Sequence, residues 1–170
     1  MRFLFILSLI VSVSALAKPC GLEGKIEERI KDCNQLNGNF VLVTMTDKGH
    51  GFYKDQKSGL IWGYRIGSDF NQYGSMKACS ENISGYHVLK SLRWRLPTIT
   101  DFKRAAARGM KSVLPNMDRS YWTSTPVKRR RKYRRRRRPP PQAYMWDALE
   151  ERTDTGDLKD AASVRCVAKE

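Results

Sequence analysis

Histidine is nearly absent from this 170-residue chain, which holds only His50 and His87. Neither is close in sequence to a cysteine, and none of the four cysteines forms a CxxC pair. The ligand spacing of a zinc site is therefore missing. Nucleophilic catalysis needs a nucleophile, a base and an orienting group brought together. His50 falls in the turn-like Lys48-Gly49-His50-Gly51, and His87 falls in a loop beside Tyr86. The expectation is a non-enzyme with no catalytic residue, no metal and no cofactor. Long apolar runs are also lacking beyond the first 17 residues, so no later segment reaches the roughly 20 apolar residues of a membrane-spanning helix. There is no internal repeat, and no regular βαβ alternation that would point to a parallel sheet.

What the chain does have begins at its start. Arg2 is followed by an apolar run over residues 3–13 and by Ala15-Leu16-Ala17, the layout of a cleaved signal peptide over residues 1–17. Lys18 and Pro19 separate that point from Cys20, so no lipid-attachment cysteine follows it. The expected product is exported, to the periplasm, the cell surface or the medium. The remaining 153 residues are enough for one domain with a real core. An even cysteine count in an exported chain favours disulfides. Of the three possible pairings we favour Cys20–Cys33 with Cys79–Cys166, the second closing most of the domain on itself.

Charge is concentrated in one place. Beyond residue 17 there are 31 basic and 17 acidic residues, a balance of +14, and ten of those charges come from residues 128–138. The run is Lys128, Arg129, Arg130, Arg131, Lys132, Tyr133, Arg134, Arg135, Arg136, Arg137 and Arg138, with prolines at 139, 140 and 141. Like charges repel one another and stay solvated, and prolines favour a stiff extended chain. Residues 128–141 are therefore expected to form a disordered Arg/Pro-rich loop rather than core.

Elsewhere the pattern is mixed. Ile26, Ile30 and Cys33 share a helical face within residues 24–34. Residues 40–46 (FVLVTMT) read as a strand. Two apolar runs flank Asp55-Gln56-Lys57-Ser58-Gly59, a hairpin signal. Residues 75–83 suggest a helix with Met76, Cys79 and Ile83 on one side. Thr98-Ile99-Thr100-Asp101 is a capping-box pattern with Asp in place of Glu, opening a helix that Gly109 would end. Strands are expected over residues 121–125, 143–149 and 163–168. The fold class implied is α+β, short helices on a small antiparallel sheet.

Five blocks occur in a telling order: Gly59-Leu60-Ile61-Trp62, Ala78-Cys79, Trp94-Arg95-Leu96-Pro97-Thr98, Tyr121-Trp122-Thr123-Ser124-Thr125 and Val164-Arg165-Cys166-Val167. In this the chain resembles the Lcl C-terminal domain family, related in fold to C-type-lectin-like and formylglycine-generating-enzyme-like domains. The resemblance covers residues 52–168, leaving 18–50 as an N-terminal extension with Cys20 and Cys33. It implies a C-type-lectin-like fold, a Cys79–Cys166 disulfide, an extracytoplasmic role and, by analogy with the adhesin that gives the family its name, binding of sulfated polysaccharide. The chain lacks the carboxylate–Pro–Asn signature of calcium-dependent lectins and the reactive cysteines of the formylglycine-generating relatives. Family members also join the two strands flanking residues 128–141 by a modest loop.

The basic run suits a polyanion. Arginine's planar fork matches sulfate, phosphate and carboxylate, and Tyr133 offers a ring for stacking on a sugar or base. Expected partners are anionic glycans and lipopolysaccharide, then nucleic acid, with membrane contact through anionic headgroups. Arg104, Arg108 and Lys111 fall at i, i+4 and i+7 and could add a second basic face. The competing class is a structural or protein-interaction module whose run docks an acidic protein. Trp62, Trp94, Trp122 and Trp146 are expected mostly in the core. Arg95 and Arg165 are expected to bind backbone or a buried carboxylate.

Overall fold

The computed structural model describes residues 38–81, 89, 91–128 and 141–169. Residues 1–17, the Cys20–Cys33 pair, the helix expected over 24–34, His87 and residues 129–138 all lie outside the described residues.

Seven strands form one sheet: β1 (Phe40–Met45), β2 (Gly51–Asp55), β3 (Leu60–Phe70), β4 (Ser120–Pro126), β5 (Gln142–Asp147), β6 (Arg152–Asp157) and β7 (Ala162–Lys169), in the order β1-β2-β3-β7-β4-β5-β6. The helices are fewer and short: α1 (Gln72–Ser80), α2 (Ile99–Ala106) and α3 (Met110–Val113). The sheet thus outweighs the helices more than the expected α+β balance. It is also not wholly antiparallel, because β7 runs parallel to β4, with Tyr121 opposite Ser163. β1 lies in the stretch assigned above to an N-terminal extension, yet it pairs with β2 and places Phe40 and Leu42 in the core.

Period-two alternation sorts the strands between two apolar layers. Tyr53, Trp62, Tyr121, Trp146 and Val167 pack with Phe102, Met110 and Leu114 from α2, α3 and the turn after them. Their neighbours Phe52, Ile61, Trp122, Cys166 and Ala168 pack on the other side with Ala78, Cys79 and Trp94. All four tryptophans are buried. β7 is central and covered on both faces, so seven of its eight residues are buried. Gly156 on β6 lies so close to Trp122 and Met145 that an added Cβ would come within 2.5 Å of the Met145 sulfur.

Local chemistry explains the element ends. Asn71 caps α1 through its side chain, which accepts from the Gly74 N–H at 2.8 Å. The stripe buried from α1 is Gln72, Ser75, Ala78 and Cys79, whereas Met76 is exposed, correcting the side assigned to it above. Thr98 and Asp101 form the full capping box on α2. Gly109, at φ 84, turns the chain between α2 and α3.

Candidate functional site

The basic run is rooted at one place in the sheet. β4 and β5 are antiparallel neighbours, and beyond their ends the Val127 N–H donates to the Gln142 carbonyl at 3.0 Å. Pro141 is tied as well, its carbonyl accepting from the Leu158 N–H at 3.2 Å. Lys128 is exposed at this root. Residues 129–138, Tyr133 included, lie outside the described residues. Beside the root is a hollow of about 350 Å³ whose lining includes Tyr73, Met76, Pro126, Val127 and Pro141. Tyr73 and Met76 are two of the described surface's few exposed large apolar residues.

A second feature lies elsewhere on the described surface. Ser58, Leu60, Arg95, Asp101, Arg104, Arg108 and Lys169 surround a cleft of about 210 Å³. Asp55, whose side chain is 1% exposed, organises its floor. Its carboxylate accepts from the Lys57 N–H and the Ser58 hydroxyl within the β2–β3 turn, and it pairs with the Arg108 guanidinium. On the opposite wall Arg95 donates to Asp101 at 2.9 Å and to the Leu96 carbonyl at 3.1 Å. Burial works against ionisation of Asp101. The Thr98 N–H, the Arg95 guanidinium and the Thr98 hydroxyl outweigh it and hold the carboxyl below its usual range. Tyr53 and Tyr64 shift the other way, burial raising both phenols; for Tyr53 the charge of Arg165 opposes the rise.

The expected trio of Arg104, Arg108 and Lys111 does not make one helix face. α2 ends at Ala106, and Gly109 reverses the chain before Lys111 enters α3. Arg104 is exposed and reaches the cleft. Arg108 is committed to Asp55. Lys111 donates to the Leu149 carbonyl at 2.6 Å. Sequence spacing missed Arg95 and Lys169 as cleft residues, because the cleft gathers four separate chain segments and no linear period records that.

Other expectations have definite places. Cys79 and Cys166 are joined, with Cα atoms 5.5 Å apart across a sequence separation of 87. Arg165 binds backbone, donating to the Gly63 carbonyl at 2.7 Å and to the Pro115 carbonyl at 2.5 Å. His50 is exposed and stacks on Tyr64, ring centroids 4.5 Å apart. Among the described residues, no helix is long and apolar enough to cross a membrane.

No protein-family model matches the sequence, and no curated protein matches it. Among solved structures the chain is similar to EMS16, an antagonist of the collagen receptor integrin alpha2beta1, at 13% identity and a TM-score of 0.44, covering 66% of this chain and 93% of that one.

Proposed function

We propose that this chain is an exported, non-catalytic binding domain that grips anionic polymers through residues 128–138. One observation carries the reading: both ends of a segment with ten basic residues are pinned at a single hydrogen-bonded strand junction, Val127 to Gln142. Ten like charges repel one another and stay solvated, so the reading asks the core to bury none of them. Sulfated or phosphorylated glycans and lipopolysaccharide are the first ligands, since arginine forks match their esters. Nucleic acid comes second, as phosphate contact alone supplies affinity without a sequence code. The joined Cys79–Cys166 pair suits an oxidising compartment, in keeping with residues 1–17 as an export signal. The five sequence blocks also lie together. Arg95 bridges to Val167 between the third and fifth blocks, and Tyr121 of the fourth block pairs with Ser163 beside the fifth. That clustering supports an Lcl C-terminal-like domain of C-type-lectin-like architecture.

The test compares the chain with a variant lacking residues 128–138 on immobilised heparin, lipopolysaccharide and DNA. The variant is expected to fold with Cys79 and Cys166 joined and to elute at much lower salt. For ten phosphate contacts on a single strand, log K should fall against log salt with a slope near about −7. Equal elution would remove the run from the function. A single saturable protein partner without polyanion retention would establish the docking module instead.

A further inference from the structure

The described body has a concentration of positive charge of its own. Four cations line the 210 Å³ cleft: Arg95, Arg104, Arg108 and Lys169. Two carboxylates face them. Asp101 is committed to Arg95 and Asp55 to Arg108. The side chains of Arg104 and Lys169 have no ion pair or hydrogen bond among the described residues. Arg108 also keeps a buried Nε–H with no partner among them. Among the described residues these pairings leave a surplus of two positive charges, on exposed side chains that line the cleft, and a cleft focuses the field more than a flat surface does. The volume falls below the roughly 300–1,000 Å³ of drug-sized sites, which suits one small charged group and not a whole polymer segment.

Position links the cleft to the basic run. The Ser124 N–H donates to the Pro97 carbonyl at 2.8 Å, and the Ile99 N–H donates to Thr125 Oγ1 at 3.0 Å. The wall carrying Arg95 and Asp101 is thereby fastened to the end of β4, three residues before Lys128.

We infer that the cleft is an anion subsite that takes one sulfate or phosphate ester through Arg104 and Lys169, on a frame set by the Asp101–Arg95 and Asp55–Arg108 pairs. Its ligand rests on the polyanion reading; its charge and shape do not. Long-range capture belongs to the run, and the choice of ester geometry belongs to the cleft.

The experiment titrates the full-length chain with a monosulfated disaccharide, its monophosphorylated counterpart and the uncharged parent, following backbone amide shifts of Ser58, Leu60 and Lys169. Saturable shifts are expected with the sulfate, the phosphate or both, and none with the parent; the two charged probes tell which ester is preferred. In Arg104→Glu/Lys169→Glu the apparent Kd at these amides should rise at least about tenfold, with the thermal midpoint unchanged. Lys159→Glu, exposed in the turn between β6 and β7, should leave it unchanged. Unmoved amides, or equal losses in the Lys159 variant, would overturn the subsite while heparin retention by the run could still stand. Saturable shifts in a chain that heparin does not retain would keep the subsite and sink the polymer reading.

Discussion

Arg165 shows what a single residue can hold together. It is fully buried in the central strand, its guanidinium lies 5.8 Å from the centre of the Tyr121 ring, and no carboxylate pairs with it among the described residues. Its two terminal nitrogens clasp carbonyls of Gly63 in β3 and Pro115 after α3. The sequence signalled a structural role, since an arginine in an otherwise apolar block must spend its donors internally. It could not say on which carbonyls, because both partners are at least 50 residues away. A delocalised, weakly hydrated guanidinium tolerates this setting better than an ammonium. Arg165→Lys keeps the charge but cannot span both acceptors with a planar fork. It is expected to cost about 1–3 kcal/mol, the usual penalty for a buried acceptor left unpaired. The urea midpoint should fall with the slope unchanged; an unchanged midpoint would mean the clasp adds nothing.

At the scale of elements, legibility followed how local the signal was. The hairpin over β2 and β3 was readable because Asp55 and Gly59 carry its turn chemistry within five residues, and Gly59 does adopt φ 70. β6 was not, since its sequence Arg-Thr-Asp-Thr-Gly-Asp has no apolar alternation. As the last strand of the sheet it needs none, and charged edge positions discourage pairing with other chains. α1 was placed late because its buried stripe begins with Gln72 and Ser75, polar residues that only the fold brings inside; Gln72 spends its amide on the Thr123 carbonyl at 3.0 Å. The α2 cap was legible and has a pH signature. Asp101 titrates below its ordinary value when folded, so its contribution is complete above the unfolded value of about 3.9 and is lost as pH falls through the folded one. Asp101→Asn should therefore cost about 1 kcal/mol near pH 7, the typical worth of a helix cap, and progressively less as pH falls below about 3.9. Urea midpoints of both chains across that range check it. A gap that persists in strong acid would locate the effect in the amide's shape and not in the carboxylate's charge.

For the molecule as a whole, the candidate site divides into a part that sequence exposes and a part that it conceals. Ten basic residues in eleven are visible to any reader of the chain, whereas the cleft needs the β2–β3 turn, the Arg95 segment, α2 and the end of β7 in one place before it exists. What brings distant segments together is closure of the chain on itself, with β7 inserted between β3 and β4 and tied to α1 through Cys79–Cys166. Crosslinking a loop of 87 residues removes conformations from the unfolded chain, worth about 4–5 kcal/mol on the chain-entropy model. Against the roughly 5–15 kcal/mol that holds a typical domain, that is a large share. Both sulfurs sit in the apolar layer that also holds Trp94 and Trp122, so alanine is the replacement that removes the link without burying a new hydroxyl. Cys79→Ala/Cys166→Ala is expected to lose stability on that scale, and its urea slope should steepen because the freed unfolded chain exposes more surface. The cleft should suffer before the run does. Its lining comes from four separate chain segments, so ester-induced amide shifts at Ser58 should vanish at urea concentrations where heparin retention through residues 128–138 persists. Loss of both at the same concentration would show that the run, too, depends on the folded body.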